Sequence, residues 1–234
     1  MKASQLRKAL RQLADPAIAA HSRRFFKSGP GEYAAGDRFL GIRVPKLRSL
    51  AKAFQEMPLA ESLRLLRSPY HEERLCALLL LVHNFTRGGA ETREAIARAY
   101  LENLHYVNNW DLVDSSAPRI LGVYLEDRPK RPLYRLAASK NLWERRIAVM
   151  TTFHFVRQRQ FDTTLDLAER LLRDDEDLIH KAVGWMLREI GRRDGKLERA
   201  FLDRHHQSMP RTMLRYAIEK FPPAERKRYL AAKS

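Results

Sequence analysis

Apolar residues recur along this chain with a helical period, in segments of roughly 10–18 residues that short breaks separate. Helix-start signals stand at several breaks, where Asp15-Pro16, Val44-Pro45 and Ser68-Pro69 each precede a periodic segment. The alternation of polar and β-branched residues that marks strands is missing. Asp194-Gly195, the only Asn-Gly or Asp-Gly dipeptide, lies between two helical patterns. The pattern therefore predicts an all-α protein.

One long stretch interrupts the helical pattern near the beginning of the chain. Residues 28–37 contain three glycines and Pro30, which argues for a fixed, irregular connection. A second interruption is predicted at Pro118, because proline cannot donate a hydrogen bond to the carbonyl of Asp114 and so bends a helix.

Basic residues fall early in successive predicted helices at a nearly constant spacing. Arg74 and Arg146 are 72 positions apart, Arg146 and Lys181 are 35 apart, and Lys181 and Arg215 are 34 apart. The missing copy between the first two falls at Trp110-Asp111. A period of about 35 in a helical chain is typical of stacked helix pairs of the HEAT or TPR type, although degenerate repeats can also arise by chance. We expect one domain over residues 1–234, with about six degenerate helix pairs curved into a superhelical array.

Charge and cysteine content narrow the class of protein. The chain carries 44 Lys and Arg against 28 Asp and Glu, a formal net charge of +16, which favours a polyanionic partner such as DNA, RNA or an anionic membrane surface. An arginine-rich surface with no such partner is the alternative. The single Cys76 excludes an intramolecular disulfide framework and a cysteine-rich zinc site, and it fits a reducing cytoplasm.

Targeting and membrane signals are weak. The longest apolar run, Leu75–Val82, is much shorter than the ~20 residues that span a bilayer, and the basic N-terminal residues lack the apolar region of a secretion signal. We therefore expect a cytoplasmic protein without a membrane segment, which would associate with the nucleoid when it binds DNA.

The predicted helix over residues 178–190 carries its tryptophan on the polar side. On a helical wheel Lys181, Trp185 and Arg188 group together. The opposite side is apolar and consists of Ile179, Val183, Met186 and Ile190. A tryptophan between two cations can stack on a base or sugar while the cations hold phosphates. The alternative is a tryptophan packed against an adjacent repeat.

A second predicted helix, near residues 108–119, has a similar arrangement. Trp110 and Asp114 are four positions apart and share one side, with Ala117 one turn further on. The other side is formed by Leu112, Val113, Ile120 and Val123. A carboxylate on an otherwise basic, aromatic face repels phosphates, so Asp114 is either a functional group or the partner of an arginine such as Arg146.

Taken together, these motifs resemble the AlkD-type DNA alkylation repair family of HEAT-like DNA glycosylases. The resemblance rests on Trp110-Asp-Leu-Val-Asp114, Leu142-Trp-Glu-Arg-Arg146, Lys181-Ala-Val-Gly-Trp185-Met-Leu-Arg-Glu189, and Phe39-Leu-Gly-Ile-Arg-Val-Pro45-Lys-Leu-Arg48. It runs in order over roughly residues 20–225. The Trp-Asp-x-x-Asp and Gly-Trp-x-x-Arg-Glu blocks are specific when they occur together.

The resemblance implies a protein that binds duplex DNA in a basic concave groove and releases cationic N3- or N7-alkylated purines, leaving an abasic site. The family's functional aspartate corresponds to Asp114, its groove tryptophans to Trp110 and Trp185, and its arginine to Arg146. Neither a metal nor another cofactor is implied, and a monomer suffices to bind a duplex. The residues expected to contact DNA are Lys181, Arg188, Arg145, Arg74, Arg48, Lys46 and Arg215. One departure is Asn109, where some members have a second tryptophan.

The chemistry agrees with a single carboxylate. A purine alkylated at N3 or N7 is already cationic and leaves as a neutral base, so no general acid is required. A carboxylate near C1′ can stabilise the oxocarbenium sugar and position water, with an attraction of ~4 kcal/mol at about 4 Å and an effective dielectric of ~20. That attraction corresponds to roughly 10³-fold in rate, which suits a labile substrate.

Two other functions remain possible, whereas the sequence argues against several enzyme classes. The chain could be a non-catalytic DNA- or RNA-binding repeat protein, or a helical scaffold for an acidic protein. A P-loop, a Gly-x-Ser-x-Gly elbow and a His-Glu-x-x-His motif are all missing from the sequence, which argues against P-loop ATPases, α/β-hydrolases and zincin proteases. The adjacent His205 and His206 would diverge on a helix and chelate a metal poorly.

Overall fold

The structure, a computed structural model, describes residues 1–231. In this part of the chain the regular elements are helices, and the extended pairing is limited to an isolated bridge between Arg38 and Tyr70. The prediction of an all-α fold is therefore confirmed. The chain divides into two compact units, Met1–Ile120 and Leu121–Ser234, each described by itself below. The single repeat domain and its superhelical curvature stay predictions.

The first unit is built from seven α-helices and a short 3₁₀ turn, Leu104–Tyr106, among its described residues. The α-helices are α1 (Ala3–Gln12), α2 (Pro16–Phe25), α3 (Val44–Ala53), α4 (Leu59–Leu66), α5 (His71–Arg87), α6 (Ala90–Glu102) and α7 (Trp110–Ala117). The Asp15-Pro16 signal is confirmed, because the Asp15 carboxylate accepts the backbone N–H groups of Ala17 and Ile18.

Helix α5 is the centre of the first unit. It packs against α3 and α7 on two sides and against α4 and α6 on others, and α1 covers α3 and α4. Most of its residues are buried, including Cys76, whose thiol has its pKa raised to about 12 by burial and by the nearby charge of Glu73. A helix that is buried on several sides in this way fixes the elements around it.

The loop that joins α2 to α3 is irregular but tightly held, as the sequence predicted. Gly31, Gly36 and Gly41 have positive φ angles, and a Cβ atom on Gly41 would lie 2.1 Å from the Asp15 carbonyl oxygen. The buried carboxylate of Glu72, on α5, accepts three successive backbone N–H groups of the loop, those of residues 40–42. The loop is thus anchored on both α2 and α5.

Helix α7 ends at Ala117 and is followed by a π-helical turn, Pro118–Gly122. This change of helix type falls at the proline that the sequence marked as an interruption, because Pro118 has no N–H to continue the i to i−4 ladder.

The second unit is also helical over its described residues, with a 3₁₀ turn at Ile218–Lys220. Its α-helices are α8 (Val123–Leu125), α9 (Arg131–Ala137), α10 (Leu142–Arg157), α11 (Asp162–Arg170), α12 (Asp177–Gly191), α13 (Gly195–His205), α14 (Arg211–Ala217) and α15 (Pro223–Ala231). Helices α10, α12 and α14 begin 35 and 34 residues apart and pack side by side, while α9 and α11 lie against α10 and α13 lies against α12. The predicted repeat spacing is confirmed within this unit.

Within residues 1–231, no helix combines the length and the apolar character that crossing a bilayer would require.

Candidate functional site

Trp110 and Asp114 lie on the open side of α7. Both side chains are half-buried, whereas Leu112 and Val113 on the other side are fully buried. The Asn109 side chain caps the helix by accepting the Trp110 N–H at 2.8 Å, so an asparagine serves the helix start where some family members have a tryptophan. The sequence correctly placed Trp110 and Asp114 together, but Ala117, expected on the same side, is buried.

Trp110 belongs to an aromatic stack that the sequence analysis missed. We use this name for Phe25, Phe26, Phe39 and Trp110. The Trp110 ring stacks on Phe26 with centroids 5.4 Å apart and meets the edge of Phe25 at 6.0 Å, and Phe26 stacks in turn on Phe39 at 5.3 Å. Phe25 is 57% exposed, which is unusual for a phenylalanine, and three exposed cations flank it in sequence, Arg23, Arg24 and Lys27.

His71 lies beneath the aromatic stack, at the first residue of α5. Its ring centroid is 4.7 Å from that of Phe26 and 5.0 Å from that of Phe39. Its Nδ1 lies 3.0 Å from an Asp37 carboxylate oxygen, and its Nε2 lies 2.8 Å from one of Asp111. Burial alone would lower the pKa of His71, but the two carboxylates outweigh it and raise the pKa to about 9.

The Arg74 guanidinium is buried beside this histidine. The prediction had placed it at the surface. Arg74 is 4% exposed; its Nη2 donates to Asp37 at 2.6 Å and its Nη1 donates to the Ser68 carbonyl at 3.1 Å. Although burial opposes it, the hydrogen bond from His71 and the charge of Arg74 lower the pKa of Asp37. The expected DNA contact of Arg74 is therefore wrong, and this arginine joins α5 to the α2–α3 loop.

The Asp114 carboxylate lies within electrostatic reach of Tyr100. The Tyr100 phenol is fully buried on α6, and its oxygen forms a 2.9 Å hydrogen bond with the Ser116 hydroxyl. Burial raises the pKa of Tyr100, the Ser116 hydrogen bond opposes the shift, and the negative charge of Asp114 raises it further. The phenol is consequently neutral at physiological pH.

In the second unit, α12 presents the face that the helical wheel predicted. Lys181, Trp185 and Arg188 are partly exposed, while Ile179, Val183, Met186 and Ile190 are buried. The Trp185 ring centroid lies 5.8 Å from that of Phe153 on α10, and the two rings are tilted by 44°. Lys181 forms an ion pair with Asp177 at 2.7 Å, and Arg188 forms one with Glu219. The partner of each cation is an exposed carboxylate, which another anion can replace.

Close packing of α12 against α14 explains the glycine in the Gly-Trp-x-x-Arg-Glu block. A Cβ atom on Gly184 would lie 2.4 Å from the Met213 carbonyl oxygen and 2.6 Å from the Tyr216 Cβ. Any larger residue would separate the two helices. Gly184 therefore fixes the position of Trp185, its neighbour in sequence, relative to α14.

Arg145 and Arg146 on α10 differ in their surroundings from the surface cations. Arg146 is 5% exposed and its Nη1 donates to the Leu178 carbonyl at 2.5 Å, which places its guanidinium at the first turn of α12. Arg145 donates to both Asp174 oxygens at 2.6 and 3.3 Å and also to the Ser139 and Lys140 carbonyls. Four such bonds hold Arg145 in place, and its expected contact with DNA stays a prediction.

The remaining predicted contacts are at the surface. Lys46 and Arg48 are exposed on α3, and Arg215 is exposed on α14. Arg48 borders a groove of about 550 Å³ whose floor includes Leu79 and Val82 and whose other cations are Lys52, Arg87 and Arg119. These side chains are available to phosphates without the loss of a buried contact.

No cluster of His, Cys, Asp and Glu side chains able to hold a metal ion is found among residues 1–231. His71 and its two carboxylates do not form one, because Asp37 and Asp111 occupy opposite nitrogens of the ring and cannot converge on one ion.

Comparison with known proteins places this chain. Residues 6–221 match a family described as DNA alkylation repair enzyme. A similar fold is found in the solved structure of a predicted DNA alkylation repair enzyme from Enterococcus faecalis, with a TM-score of 0.68 and 18% identity over 90% of this chain and 97% of that one. Among curated proteins, none gives a significant match. Because the family match covers nearly the whole chain, this protein belongs to the DNA alkylation repair enzyme family.

Proposed function

We propose that this protein binds duplex DNA and hydrolyses the N-glycosidic bond of cationic N3- and N7-alkylated purines, leaving an abasic site. The observation that carries the proposal is the pairing of Trp110 with Asp114, one turn apart on the open side of α7. The membership of a DNA alkylation repair family and the net charge of +16 support DNA as the polymer on which such a pair would act.

Trp110 would contact the damaged nucleotide, and Trp185 would contact DNA from its own unit. Trp110 is held by Phe25 and Phe26 and is still half-exposed, so its ring is ordered before DNA arrives. Trp185 contacts the ring of Phe153 and lies between Lys181 and Arg188 in the sequence of α12. Aromatic faces attract positive charge, and both a cationic purine and an oxocarbenium sugar carry it.

Asp114 would provide the negative charge for the reaction. The bond between C1′ and the purine nitrogen breaks, and its electron pair goes to the purine, which leaves as a neutral molecule. The positive charge passes to the sugar, where the Asp114 carboxylate stabilises it. Water then adds to C1′ and gives a proton to that carboxylate, so the products are a neutral base and an abasic sugar.

Phosphate contacts would come from the exposed cations. Lys46, Arg48 and Arg215 are at the surface, and Lys181 and Arg188 would exchange a surface carboxylate for a phosphate. DNA is the only partner that this mechanism requires, and we propose that the protein acts as a cytoplasmic monomer without a metal or another cofactor. Arg146, buried against the first turn of α12, would support the helix that carries Lys181 and Arg188.

The decisive experiment measures base release from duplex DNA treated with a methylating agent. The variant is Asp114→Asn, which keeps the size of the side chain and removes its charge, and the matched control is Asp127→Asn at an exposed position of the second unit. We expect Asp114→Asn to release N3- and N7-methylpurines ~10²–10³-fold more slowly while duplex affinity is kept or increased. The control should release them at the wild-type rate.

Two outcomes would contradict the proposal in different ways. If Asp114→Asn keeps nearly full activity, the carboxylate has no part in the reaction. If the wild-type protein releases no base but binds duplex DNA with a slope of log K on log salt near −5, as about six phosphate contacts would give, the protein is a non-catalytic DNA-binding member of the family.

A further inference from the structure

The first aspartate of the Trp-Asp-x-x-Asp block has no part in the proposed reaction, yet both of its carboxylate oxygens have a partner. The Oδ1 of Asp111 accepts the backbone N–H of Leu112 at 2.9 Å, and its Oδ2 lies 2.8 Å from the His71 ring. Asp111 is therefore fixed to the first turn of α7 and to the first residue of α5 at once. Trp110 is its neighbour in sequence and begins the same turn.

The contacts of the His71 ring require a protonated imidazole. A neutral imidazole has one N–H donor and one acceptor nitrogen. Both ring nitrogens of His71 lie at hydrogen-bond distance from carboxylate oxygens, which only accept. A neutral ring would direct a lone pair at one of the two carboxylates, so both nitrogens donate and the ring carries a positive charge.

The charged groups around His71 come from three elements. The α2–α3 loop supplies Asp37, and α7 supplies Asp111. On α5 itself, Arg74 shares Asp37 with His71, and the Glu72 carboxylate is bound to loop N–H groups. The loop also supplies the Arg38 carbonyl, which accepts the His71 backbone N–H at 2.8 Å, while the Arg38 side chain is exposed. Helix α2 contributes an uncharged ring, that of Phe26 at its C-cap.

The same ring supports the aromatic stack. Phe26 and Phe39 both lie against His71. Phe26 also stacks on Trp110, with ring centroids 5.4 Å apart. A cation against aromatic rings is a favourable contact when it is shielded from water. The histidine thus reaches Trp110 by two routes, through Asp111 and through Phe26.

We propose that His71 and Asp111 are positioning residues for Trp110: the charged imidazole joins the first turn of α7 to the α2–α3 loop and sets the orientation of the indole that meets DNA. The role for DNA rests on the proposed function, but the control of the Trp110 ring does not. When His71 loses its proton, one of the two carboxylates loses the ring N–H that it accepted and keeps its other donor, Arg74 for Asp37 or the Leu112 N–H for Asp111. The turn or the loop then shifts, and the aromatic stack shifts with it.

The raised pKa of His71, about 9, agrees with this role. At neutral pH the ring is charged and both contacts are made. As pH rises through about 9 the ring becomes neutral, so the orientation of Trp110 should change over the same range.

The test uses ¹⁹F NMR of the whole protein labelled with 5-fluorotryptophan. The chain has three tryptophans, and Trp110→Phe identifies the resonance of interest. In the wild type we expect the Trp110 resonance to titrate with a midpoint near pH 9, while that of the buried Trp143 stays constant. In His71→Gln, the Trp110 resonance should lie near its alkaline position at every pH. The matched control is His83→Gln, the same change at a half-buried position of the same helix.

A second readout is the dissociation constant for duplex DNA. If the loss of His71 reduces the binding-competent orientation of Trp110 to about a tenth, the dissociation constant at pH 7 rises about tenfold. His71→Gln should then lack the alkaline loss of affinity that the wild type and His83→Gln share. An inability of the wild type to bind DNA at any pH, together with a normal ¹⁹F titration, would refute the proposed function and leave the positioning role standing.

Two results would overturn the positioning role. One is a Trp110 resonance that does not respond between pH 8 and 10 in the wild type. The other is an unchanged Trp110 resonance in His71→Gln. If that variant does not fold, Asp111→Asn decides the matter, because it keeps an acceptor for His71 and removes one charge. Its Trp110 titration should move to a lower midpoint than in the wild type, and an unmoved midpoint would contradict the proposal.

Discussion

The Glu72→Gln substitution tests how firmly the α2–α3 loop is held, and with it the base of the aromatic stack. Glu72 is 4% exposed, and its carboxylate accepts the N–H groups of Leu40, Gly41 and Ile42 at 2.8, 2.7 and 3.2 Å. A glutamine can retain the oxygen that serves Gly41 and Ile42. Its amide nitrogen would then face the Leu40 N–H, so that two donors meet in a buried position.

The cost can be worked out from these bonds. A hydrogen bond to a charged group contributes about 1.5–3 kcal/mol, and a neutral one contributes about 0.5–1.5 kcal/mol. Glu72→Gln loses one charged bond and converts two others to neutral ones, which together amounts to about 4 kcal/mol. Since a domain is stable by only about 5–15 kcal/mol, the variant should fold with a much reduced free energy of unfolding.

Urea unfolding at neutral pH measures that free energy, and hydrogen exchange at the three loop amides reports the local effect. The matched control is Glu32→Gln, because the exposed Glu32 carboxylate accepts one backbone N–H among the described residues, that of Gly29 in the same loop, at 2.7 Å. We expect the control to lose less than about 1 kcal/mol. Equal losses in both variants, or unchanged protection of the residue 40–42 amides in Glu72→Gln, would refute this account of the loop.

Two further predictions concern the second unit. Burial raises the pKa of Glu198 to about 8, with Arg199 opposing and Glu225 adding to the shift, so the folded state keeps a proton that the unfolded state releases above about pH 4.5. The free energy of unfolding of the wild type should therefore fall by up to about 1.4 kcal/mol per pH unit between about pH 4.5 and 8. Glu198→Gln should remove that slope. Parallel pH profiles of the free energy of unfolding for the wild type and Glu198→Gln would contradict this. Lys181→Glu should weaken binding to all duplex sequences alike and make the slope of log K on log salt shallower by about one. The matched control is Lys196→Glu on α13. Losses of affinity that depend on the DNA sequence would show that Lys181 does not bind phosphate.

Helix faces were the part of this structure that the sequence predicted best. The 3.6-residue period placed Trp110 with Asp114 and Trp185 with its two cations, because a helix turns by a constant angle and its buried side is visible in the apolar positions. The spacing of α10, α12 and α14 followed for the same reason, since each repeat contributes one buried helix at a fixed interval.

The choice of partner for each charge could not be predicted in this way. Arg74 occupies the repeat position of a surface cation, yet its partner, Asp37, lies 37 residues earlier in an irregular loop. Arg145 is likewise bound by Asp174, 29 residues away. Periodicity describes one helix at a time and carries no information on contacts between distant segments.

The aromatic stack and His71 were missed for a related reason. Phe25 and Phe26 end α2, and Phe39 lies in the loop, so none of them adds to the periodic face of a helix. The one usable signal was the run Arg23-Arg24-Phe25-Phe26-Lys27, in which two phenylalanines lie among cations. His71 had no signal of its own, since its role depends on carboxylates at positions 37 and 111.

The burial of Cys76 has a consequence for a protein whose family deals with alkylation damage. Electrophiles that methylate purines also attack thiolates, and the reactive species is the anion. With a pKa of about 12, only ~10⁻⁵ of this thiol is ionised at pH 7, and the packed interior of α5 keeps reagents away from it. The chain's only cysteine therefore gives small electrophiles no ready point of attack.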